Sequence, residues 1–426
     1  MNRKLINHLK TWGGAILIGI NCGCASEDSS NSNTSIKVKP NYNVEFTQQD
    51  IEVCNGINNF SYRLISEVLA NDDAVGLDGK NFAISPISCA VEIAMLAESA
   101  DNGSAQKLCK ILEVSDIESL GTACNKLMTY LPAPENLTKF EMANSVWYAD
   151  RNDAYISDAY VKKMNSTYFA DINSADLATK SGMNVINSWI DTKTDGNIRD
   201  LSGLLEPSSN IDALIFSALY FNSGEKFTFH INRTANGIFH APNGDHIVTM
   251  MHNYSYGRFY EDDKRIVVII GHRWVPSNLT IIMPKEGFSL ADTCPESEEW
   301  YSIWGSTMEI SNMELSIPRL SVASDIRLNS LPMFNTLGSI TLSGMSIPSG
   351  KVGSIGQSTH FILNEDGIDL TSVSRCTFAH PQQDSLPSWI PVTIDRPFLF
   401  YVHNVATGAI IMAGRILDAS NQNYKL

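Results

Sequence analysis

The chain has 426 residues, 43% of them hydrophobic and 18% charged, and a formal net charge of −15. This composition is that of a globular protein, and the length suits one large domain or two ordinary ones with an ample core. The acidic balance and the lack of any Lys/Arg-rich block argue against nucleic-acid binding, because phosphates demand a basic surface.

Residues 1–23 have the layout of a secretory signal peptide, with a basic start, a short apolar run and small residues after it. The apolar run, TWGGAILIGI, is too short to span a bilayer. Gly23-Cys24, followed by ASEDSS, resembles the cleavage box of a bacterial lipoprotein, which would make Cys24 the lipid anchor. Cys22 is the rival position, and a plain signal peptide with incidental cysteines is the alternative. We therefore expect a secreted chain held by lipid at the bacterial outer membrane or cell surface, with a soluble extracellular protein as the alternative.

The next segments predict a tether followed by helices. Residues 24–45 are rich in Ser and Asn and lack periodicity, which is typical of a flexible segment. After Thr47, apolar residues recur at steps of three and four, which predicts a helix. NFAISP then predicts a short strand that ends at Pro86, where Ser85 or Ser88 could cap the helix ISCAVEIAMLAESA.

The middle of the chain alternates strands and helices, and the last part is mostly strands. KFEMANSVWYA and ALIFSALYFN are typical of strands, and SDAYVKKMNSTYF and GMNVINSWIDTKT of helices. After residue 240 come the strand-like HIVTMMHN, RIVVII, LTIIMP and MELSIPRL, then FLFYVHN and AIIMAGRI, a predicted hairpin with Gly in its turn. No fixed repeat or composition break occurs, so we predict one α+β domain over residues 46–420 and a C-terminal tail over 421–426.

The sequence offers no enzyme motif. GxSxG, HExxH and GxxxxGKS/T are all absent. The eight cysteines lack CxxC spacing and His partners at zinc spacing, so no zinc site is expected, and a chain of this length is not expected to be a disulfide scaffold. His240, His246 and His252 recur at steps of six, but APNGD interrupts the strand that would align them. We expect no enzymatic activity, no metal and no cofactor.

Several segments, taken together and in order, resemble the serpin family. They are the early strand-helix block NFAISPISCAVEIAMLAESADNGSAQKL, the helix INSWIDTKTDGNI, the strands ALIFSALYF and VTMMHNYSYGRFY, the segment LSIPRLSVASDIRL, the hinge LNEDG and the C-terminal DRPFLFYVHNVATGAIIMAGRI. The resemblance runs from about residue 47 to residue 418, nearly the whole mature chain. It implies the serpin fold, with three β-sheets, about nine helices and an exposed reactive loop.

The resemblance also implies a monomeric inhibitor of extracellular serine or cysteine proteases. In this family the protease attacks the reactive loop and forms an acyl-enzyme, and the cut loop then inserts into the large sheet as a new strand. A non-inhibitory serpin that acts as a surface binding module is the alternative. The sequence reveals neither the target protease nor an activating cofactor, and the lack of a basic patch argues against activation by heparin.

The segment after the hinge residue Gly367 alternates as an inserting strand would. Every second residue is apolar or small and could face a core. The residues between them include both charged side chains and could face solvent. The first set comprises Ile368, Leu370, Ser372, Ser374, Cys376 and Phe378, and the second comprises Asp369, Thr371, Val373, Arg375, Thr377 and Ala379. No Pro or Gly occurs from Ile368 to His380, and Pro381 then ends the insertable stretch.

The sequence leaves the scissile bond open. Counting from Gly367 as the family does gives Pro381-Gln382, although proline before the bond suits few proteases. Phe378-Ala379 would suit a chymotrypsin-like enzyme and Arg375-Cys376 a trypsin-like one, but both would shorten the inserting strand. We therefore expect cleavage between Phe378 and Gln383.

Three polar residues match the family's shutter, a hydrogen-bonded group beneath the sheet that must open for insertion. They are Ser85, Ser88 and Gln357. Ordinary helix capping is the alternative role of either serine.

The chain also departs from the family at positions that govern insertion. The bulky Ile368 and Leu370 follow the hinge glycine, where inhibitory members usually have Thr or Ser and then Ala. Ser217 stands where the family usually has a shutter Asn, and Glu225 where it usually has Trp. These differences leave open how loop insertion is controlled and whether the chain is inhibitory.

Overall fold

The computed structural model of the chain describes residues 41, 43–131, 140–151, 155–194, 196, 198, 206–221, 229, 231–271, 277–296, 298–300, 303, 310–346, 352–365, 389–404 and 407–420. Contacts within the chain separate Met1–Lys37 from Val38–Leu426, and every described residue lies in the second unit. The predicted signal peptide, Cys24, the loop Gly367–Gln382 and the tail 421–426 lie outside the described residues, and so does most of the tether.

Seven α-helices fall within the described residues, and each begins next to a side chain that caps it. They are α1 (Gln48–Ala70), α2 (Pro86–Ser99), α3 (Asn102–Ile111), α4 (Ile117–Tyr130), α5 (Asp158–Thr167), α6 (Lys180–Lys193) and α7 (Leu290–Thr293). The capping residues are all Ser, Thr or Asp, and each accepts a hydrogen bond from a backbone N–H of the first turn. In α1 the apolar residues from Cys54 to Val68 that set the helical period are buried, which confirms the predicted helix.

Two of the three sheets share one long strand. Their strands are β1 (Phe82–Ile84), β6 (Ala235–Ala241), β7 (Gly244–Glu261), β8 (Arg265–Gly271), β9 (Ser277–Pro284), β10 (Ser311–Pro318), β14 (Ile390–Thr393), β15 (Phe398–Asn404) and β16 (Ile410–Ile416). The order is β1-β16-β15-β9-β8-β7-β10-β14, with β6 also paired to β7. β7 pairs with β10 through Met250–Gly257 and with β8 through Arg258–Glu261, so it belongs to both sheets.

The third sheet is divided into two parts. The strands β2 (Phe140–Ala149), β4 (Ala170–Ala175) and β5 (Ala213–Phe221) form one part in the order β4-β2-β5, and β11 (Leu320–Arg327) pairs with β13 (Gly356–Leu363) in the other. Among the described residues, no ladder of hydrogen bonds joins β5 to β13. A short pairing of β3 (Tyr155–Ile156) with β12 (Met345–Ser346) lies apart from these sheets. The predicted fold class, α+β with three sheets, is confirmed.

The core lies around the C-terminal hairpin. Every residue of β15 and β16 is buried, and Gly408 in the connecting turn has a φ of 70°, as the glycine predicted. Phe361 of β13 stacks on Phe400 of β15 with ring centroids 4.3 Å apart. This stacking holds one edge of the divided sheet against the core.

Gly414 permits close packing between β16 and β1. A Cβ atom at this position would lie 2.1 Å from the carbonyl oxygen of Phe82 and 2.6 Å from the Cε1 atom of Phe400. We expect Gly414→Ala to lower the free energy of unfolding by about 1–3 kcal/mol, because the strands must move apart to admit the methyl group. Urea unfolding followed by circular dichroism measures this loss.

Gly338→Ala is the matched control, since an added Cβ atom there meets nothing within 4 Å. Its free energy of unfolding should equal that of the wild type or slightly exceed it. An unfolding midpoint for Gly414→Ala equal to that of the wild type would contradict the close packing of β16 on β1.

Candidate functional site

A cleft of about 650 Å³ separates the two parts of the divided sheet. One wall is formed by residues 210–218, which include most of β5, and the other by residues 352–358, which lead into β13. Glu92 and Leu96 of α2 also line the cleft. It therefore lies between two strands of one sheet, which is the space that an additional strand would need.

The backbone of β5 directs alternate residues toward the cleft. Asp212, just before β5, accepts a hydrogen bond from the N–H of Ala149 at 2.8 Å, so the even-numbered residues face β2. In an antiparallel pair, the residues between them turn their N–H and C=O groups away from the partner strand. The residues of β5 that turn these groups toward the cleft are therefore Ala213, Ile215, Ser217 and Leu219.

β13 supplies the opposite edge. Ile355, just before β13, accepts a hydrogen bond from the N–H of Leu328 at 3.0 Å, so the odd-numbered residues of β13 face β11. Gly356 and Ser358 therefore turn their backbone groups toward the cleft. One inserted strand could form hydrogen bonds with an edge on each side, which is the geometry of β-strand addition.

The structure brings together the three predicted shutter residues at the start of α2. The N–H of Ser85 donates to Oε1 of Gln357 at 2.6 Å, and Nε2 of Gln357 donates back to the carbonyl oxygen of Ser85 at 2.9 Å. Oγ of Ser85 donates to the carbonyl oxygen of Ile411 at 2.8 Å and also caps α2 by accepting from the N–H of Ser88. Ser85 therefore caps α2 and also joins the start of this helix to β13 and β16 through hydrogen bonds. Their role in opening the sheet stays a prediction.

Glu92 lies four residues beyond Ser88, on the face of α2 that lines the cleft. Its Oε1 atom accepts a hydrogen bond from the backbone N–H of Ser217 at 3.0 Å. Burial raises the pKa of Glu92 to about 8, and the Ser217 N–H lowers it only in part. Oγ of Ser217 is buried and has no hydrogen-bond partner among the described residues. The edge of β5 is therefore in contact with an acidic side chain that is costly to charge.

Glu365 is the last described residue before the loop, and it fixes the start of the loop. Its carboxylate forms an ion pair with Arg319 through both oxygens, with Oε1 lying 3.0 Å from Nη2, and Oγ1 of Thr234 donates to the same carboxylate. Burial would raise the pKa of Glu365, but the hydrogen bonds from Arg319 and Thr234 and the charge of Arg319 outweigh it and lower the pKa. The loop therefore starts from a fixed point at the end of β13.

The sequence does not single out several of these residues. An acidic residue inside the apolar stretch ISCAVEIAML is the one signal for Glu92. Arg319 and Thr234 are 46 and 131 positions from Glu365, and no local pattern connects them. Ser217, noted as a departure from the family, lies on the cleft edge, whereas Glu225 and the reactive loop fall outside the described residues.

Comparisons with known proteins agree with this architecture. The family model described as Serpin (serine protease inhibitor) matches residues 55–419. The chain is 25% identical over 391 residues to an uncharacterized serpin-like protein of Thermococcus kodakarensis, with 88% of each chain covered. It is 23% identical over 362 residues to human leukocyte elastase inhibitor, covering 79% of this chain and 92% of that protein.

Solved structures are similar in fold. The thermophilic serpin tengpin in its native state matches with a TM-score of 0.73 and 22% identity, over 90% of this chain and 97% of that chain. Thyroxine-binding globulin in complex with thyroxine matches with a TM-score of 0.72 and 18% identity, over 86% of this chain and 99% of that chain. At these identities the likeness shows the shared fold and not a shared ligand or target.

Glu365→Gln should destabilise the chain, because it removes the buried negative charge that Arg319 contacts through both carboxylate oxygens. We expect a loss on the order of 3 kcal/mol at neutral pH, measured by urea unfolding. The pKa of Glu365 is lowered, so its contribution is present at neutral pH and is lost as the pH falls through the folded pKa, below the ordinary value of 4.5. The free energies of unfolding of wild type and variant should therefore converge in acid.

Glu261→Gln is the control for an exposed ion pair. Glu261 pairs with Lys285 at 2.6 Å, and its side chain is 47% exposed, so the variant should lose less than about 1 kcal/mol. The two variants could lose equal free energies of unfolding, or the loss for Glu365→Gln could persist undiminished into acid. Either result would show that the ion pair with Arg319 stabilises the fold no more than an exposed pair does.

Proposed function

This chain belongs to the serpin family, and from that premise we propose that it inhibits extracellular serine or cysteine proteases. One observation carries the proposal: the cleft between β5 and β13 offers two strand edges, and β13 leads directly into the reactive loop. The description of the family model and the name of the human relative, leukocyte elastase inhibitor, support the same class of activity.

The proposed inhibition begins as an ordinary proteolytic attack. The Ser or Cys of the protease adds to the carbonyl carbon of the scissile bond, the C–N bond breaks, and the amine leaves with a proton from the protease base. The residue before the cut is then joined to the protease through an ester or thioester. By counting, the cut bond is Pro381-Gln382, with Phe378-Ala379 as the rival.

Cleavage frees the loop at one end only. The other end continues from β13 through Glu365, which Arg319 holds in place. Gly367 follows two residues later, and a glycine there lets the chain reverse and run antiparallel to β13 within the cleft. The acylated protease is carried with the strand and distorted before it can hydrolyse the ester, so that stored strain drives the capture.

The sequence of the loop suits this strand. Ile368, Leu370 and Phe378 would lie on the face of the inserted strand that packs on α2. Burying each of these side chains could stabilise the inserted form by roughly 1.5–3 kcal/mol. Asp369 and Arg375 would lie on the opposite face of the strand, toward solvent. The mutual hydrogen bonds between Ser85 and Gln357 are the contacts that would adjust as the two parts of the sheet move, which is the shutter role we propose for them.

A non-inhibitory binding module is the second candidate. The observation that favours it is the bulk of Ile368 and Leu370 beside the hinge, since large side chains there would slow insertion. Slow insertion would let the protease hydrolyse the acyl-enzyme and leave. The two candidates therefore differ in one product, the covalent complex, which only the inhibitor forms.

We also propose that the chain is secreted and held at the bacterial surface by a lipid on Cys24. The support is the sequence, which places a basic and apolar leader before Gly23-Cys24 and an acidic, Ser-rich segment after it. Within the described part of the chain, no helix has the length and apolar character that crossing a membrane requires.

Incubation with chymotrypsin-, elastase-, trypsin- and papain-like proteases should give an SDS-resistant complex with at least one enzyme, because an acyl-enzyme trapped by insertion is covalent. Cleavage within the loop should also raise the Tm, because the inserted strand adds ladder hydrogen bonds and apolar burial. Gel electrophoresis and calorimetry measure these two results.

Thr371→Pro should turn the inhibitor into a substrate that is cut at the same bond, forms no complex and shows no rise in Tm. The reason is that a proline within the inserted strand removes a ladder donor. Ser385→Pro lies beyond the insertable stretch and should behave as the wild type. If the wild type gives neither complex nor rise in Tm, the inhibitor proposal fails and the binding module is favoured.

Cys24→Ser should release the chain from the membrane fraction, whereas Cys22→Ser should leave it anchored. The reason is that a thioether-linked lipid requires the cysteine sulfur at the new N-terminus. Mass spectrometry of the mature N-terminal peptide reads the result directly, and a lipid on Cys22 or an unmodified N-terminus would contradict the assignment.

A further inference from the structure

Glu92 holds a backbone group that an inserting strand would need. Its Oε1 atom accepts the N–H of Ser217 at 3.0 Å, and Ser217 lies in the middle of β5 with this N–H turned toward the cleft. We propose that Glu92 is a positioning residue for strand insertion: it occupies this N–H, and the loop seats fully only after Glu92 releases it. The inference rests on the proposed inhibitory function and deepens it by naming a residue that controls its insertion step.

The inserting strand must replace this hydrogen bond. In a completed ladder, the N–H of Ser217 donates to a carbonyl oxygen of the new strand. The same N–H cannot be well aligned with both that carbonyl and the carboxyl group of Glu92. Glu92 therefore has to withdraw toward α2, beneath the closed sheet. Burying a carboxyl group that has lost its partner is costly, and it costs far more when the group is charged.

Little in the surroundings offsets a negative charge on Glu92. Burial raises its pKa to about 8, and the Ser217 N–H is its hydrogen-bond partner within the described residues. The nearest ionisable group on α2 is Cys89, and burial together with the charge of Glu92 raises the pKa of this thiol well above 9.0. The thiol therefore stays neutral over the range in which Glu92 titrates.

Charged groups on the other elements face elsewhere or already have partners. In the cleft, Asp212 is paired with Arg151, and Arg327 lies at the end of β11. Lys163 of α5 lies 3.3 Å from Glu98, near the far end of α2. Two tyrosines also contact that half of α2: Tyr168 donates to Glu98, and Tyr160 donates to the carbonyl oxygen of Met95.

The charge on Glu92 gives insertion a defined pH dependence. Below a pH of about 8, Glu92 is mostly neutral and can release Ser217 without burying a charge. Above this pH, the carboxylate holds the N–H through a charge-assisted hydrogen bond, and insertion requires the uptake of a proton. The rate of insertion should therefore fall as the pH rises, approaching about tenfold per pH unit.

The test follows insertion directly, with a synthetic strand in place of the loop. The probe is an amidated peptide of residues 368–379 with Ser in place of Cys376 and rhodamine coupled to its N-terminal amine, so that it carries no peptide group that titrates between about pH 7 and about pH 10. Fluorescence anisotropy measures how fast it anneals to the full-length protein. For the wild type we expect the rate to fall about tenfold per pH unit above about pH 8. Glu92→Gln keeps an oxygen that can accept from Ser217 but cannot ionise, so its profile should be flat.

Glu98→Gln is the matched control. Glu98 is a second carboxyl group on α2 whose pKa is raised by burial, but it contacts Lys163 and Tyr168 and not β5. This variant should keep the wild-type pH profile.

Two outcomes would overturn the role of Glu92 while leaving insertion intact: a wild-type rate that does not change with pH, or a Glu92→Gln rate that falls as the wild-type rate does. The wild-type profile alone decides the matter if Glu92→Gln does not fold. If no form of the protein anneals the peptide at any pH, insertion itself fails, and the proposed function fails with it.

Discussion

Backbone N–H and C=O groups at the edge of a strand need partners, and β5 and β13 turn such groups toward a cleft instead of toward each other. Folded proteins usually remove open edges by pairing or covering them. Here the described part of the sheet stays divided, and one edge group, the N–H of Ser217, is bonded to a side chain of the helix beneath. A strand placed between the two edges would complete the sheet, and this is the rearrangement that the proposed mechanism requires.

Three contacts fix the positions of β13, the start of α2 and the start of the loop. The stacking of Phe361 on Phe400 fixes β13 to the core, and the hydrogen bonds between Ser85 and Gln357 fix the start of α2 to β13. The ion pair of Glu365 with Arg319 fixes the point where the loop begins. A loop freed by cleavage, as proposed, would keep a fixed end at Glu365 and could reach the cleft beside β13.

Local patterns predicted local structure well. The helical period after Thr47, the serine cap before Pro86 and the glycine turn of the C-terminal hairpin all correspond to elements of the structure. The order of the family motifs predicted the three sheets. The division of one sheet was not predictable, because the apolar run ALIFSALYFN is typical of a central strand whether or not both of its edges are paired. Glu92 and Ser217 are 125 positions apart, so their contact arises only from the tertiary fold.

The central claim is that the cleaved loop becomes a strand between β5 and β13. Hydrogen–deuterium exchange of the intact and the loop-cleaved protein, read in residues 213–221 and 356–363, tests this claim most directly. The account predicts that the amides of Ile215 and Ser217 exchange more slowly after cleavage, because Ile215 gains a carbonyl partner on the new strand and Ser217 exchanges the side chain of Glu92 for a carbonyl within a completed ladder. Exchange at the same rate in both forms would contradict it.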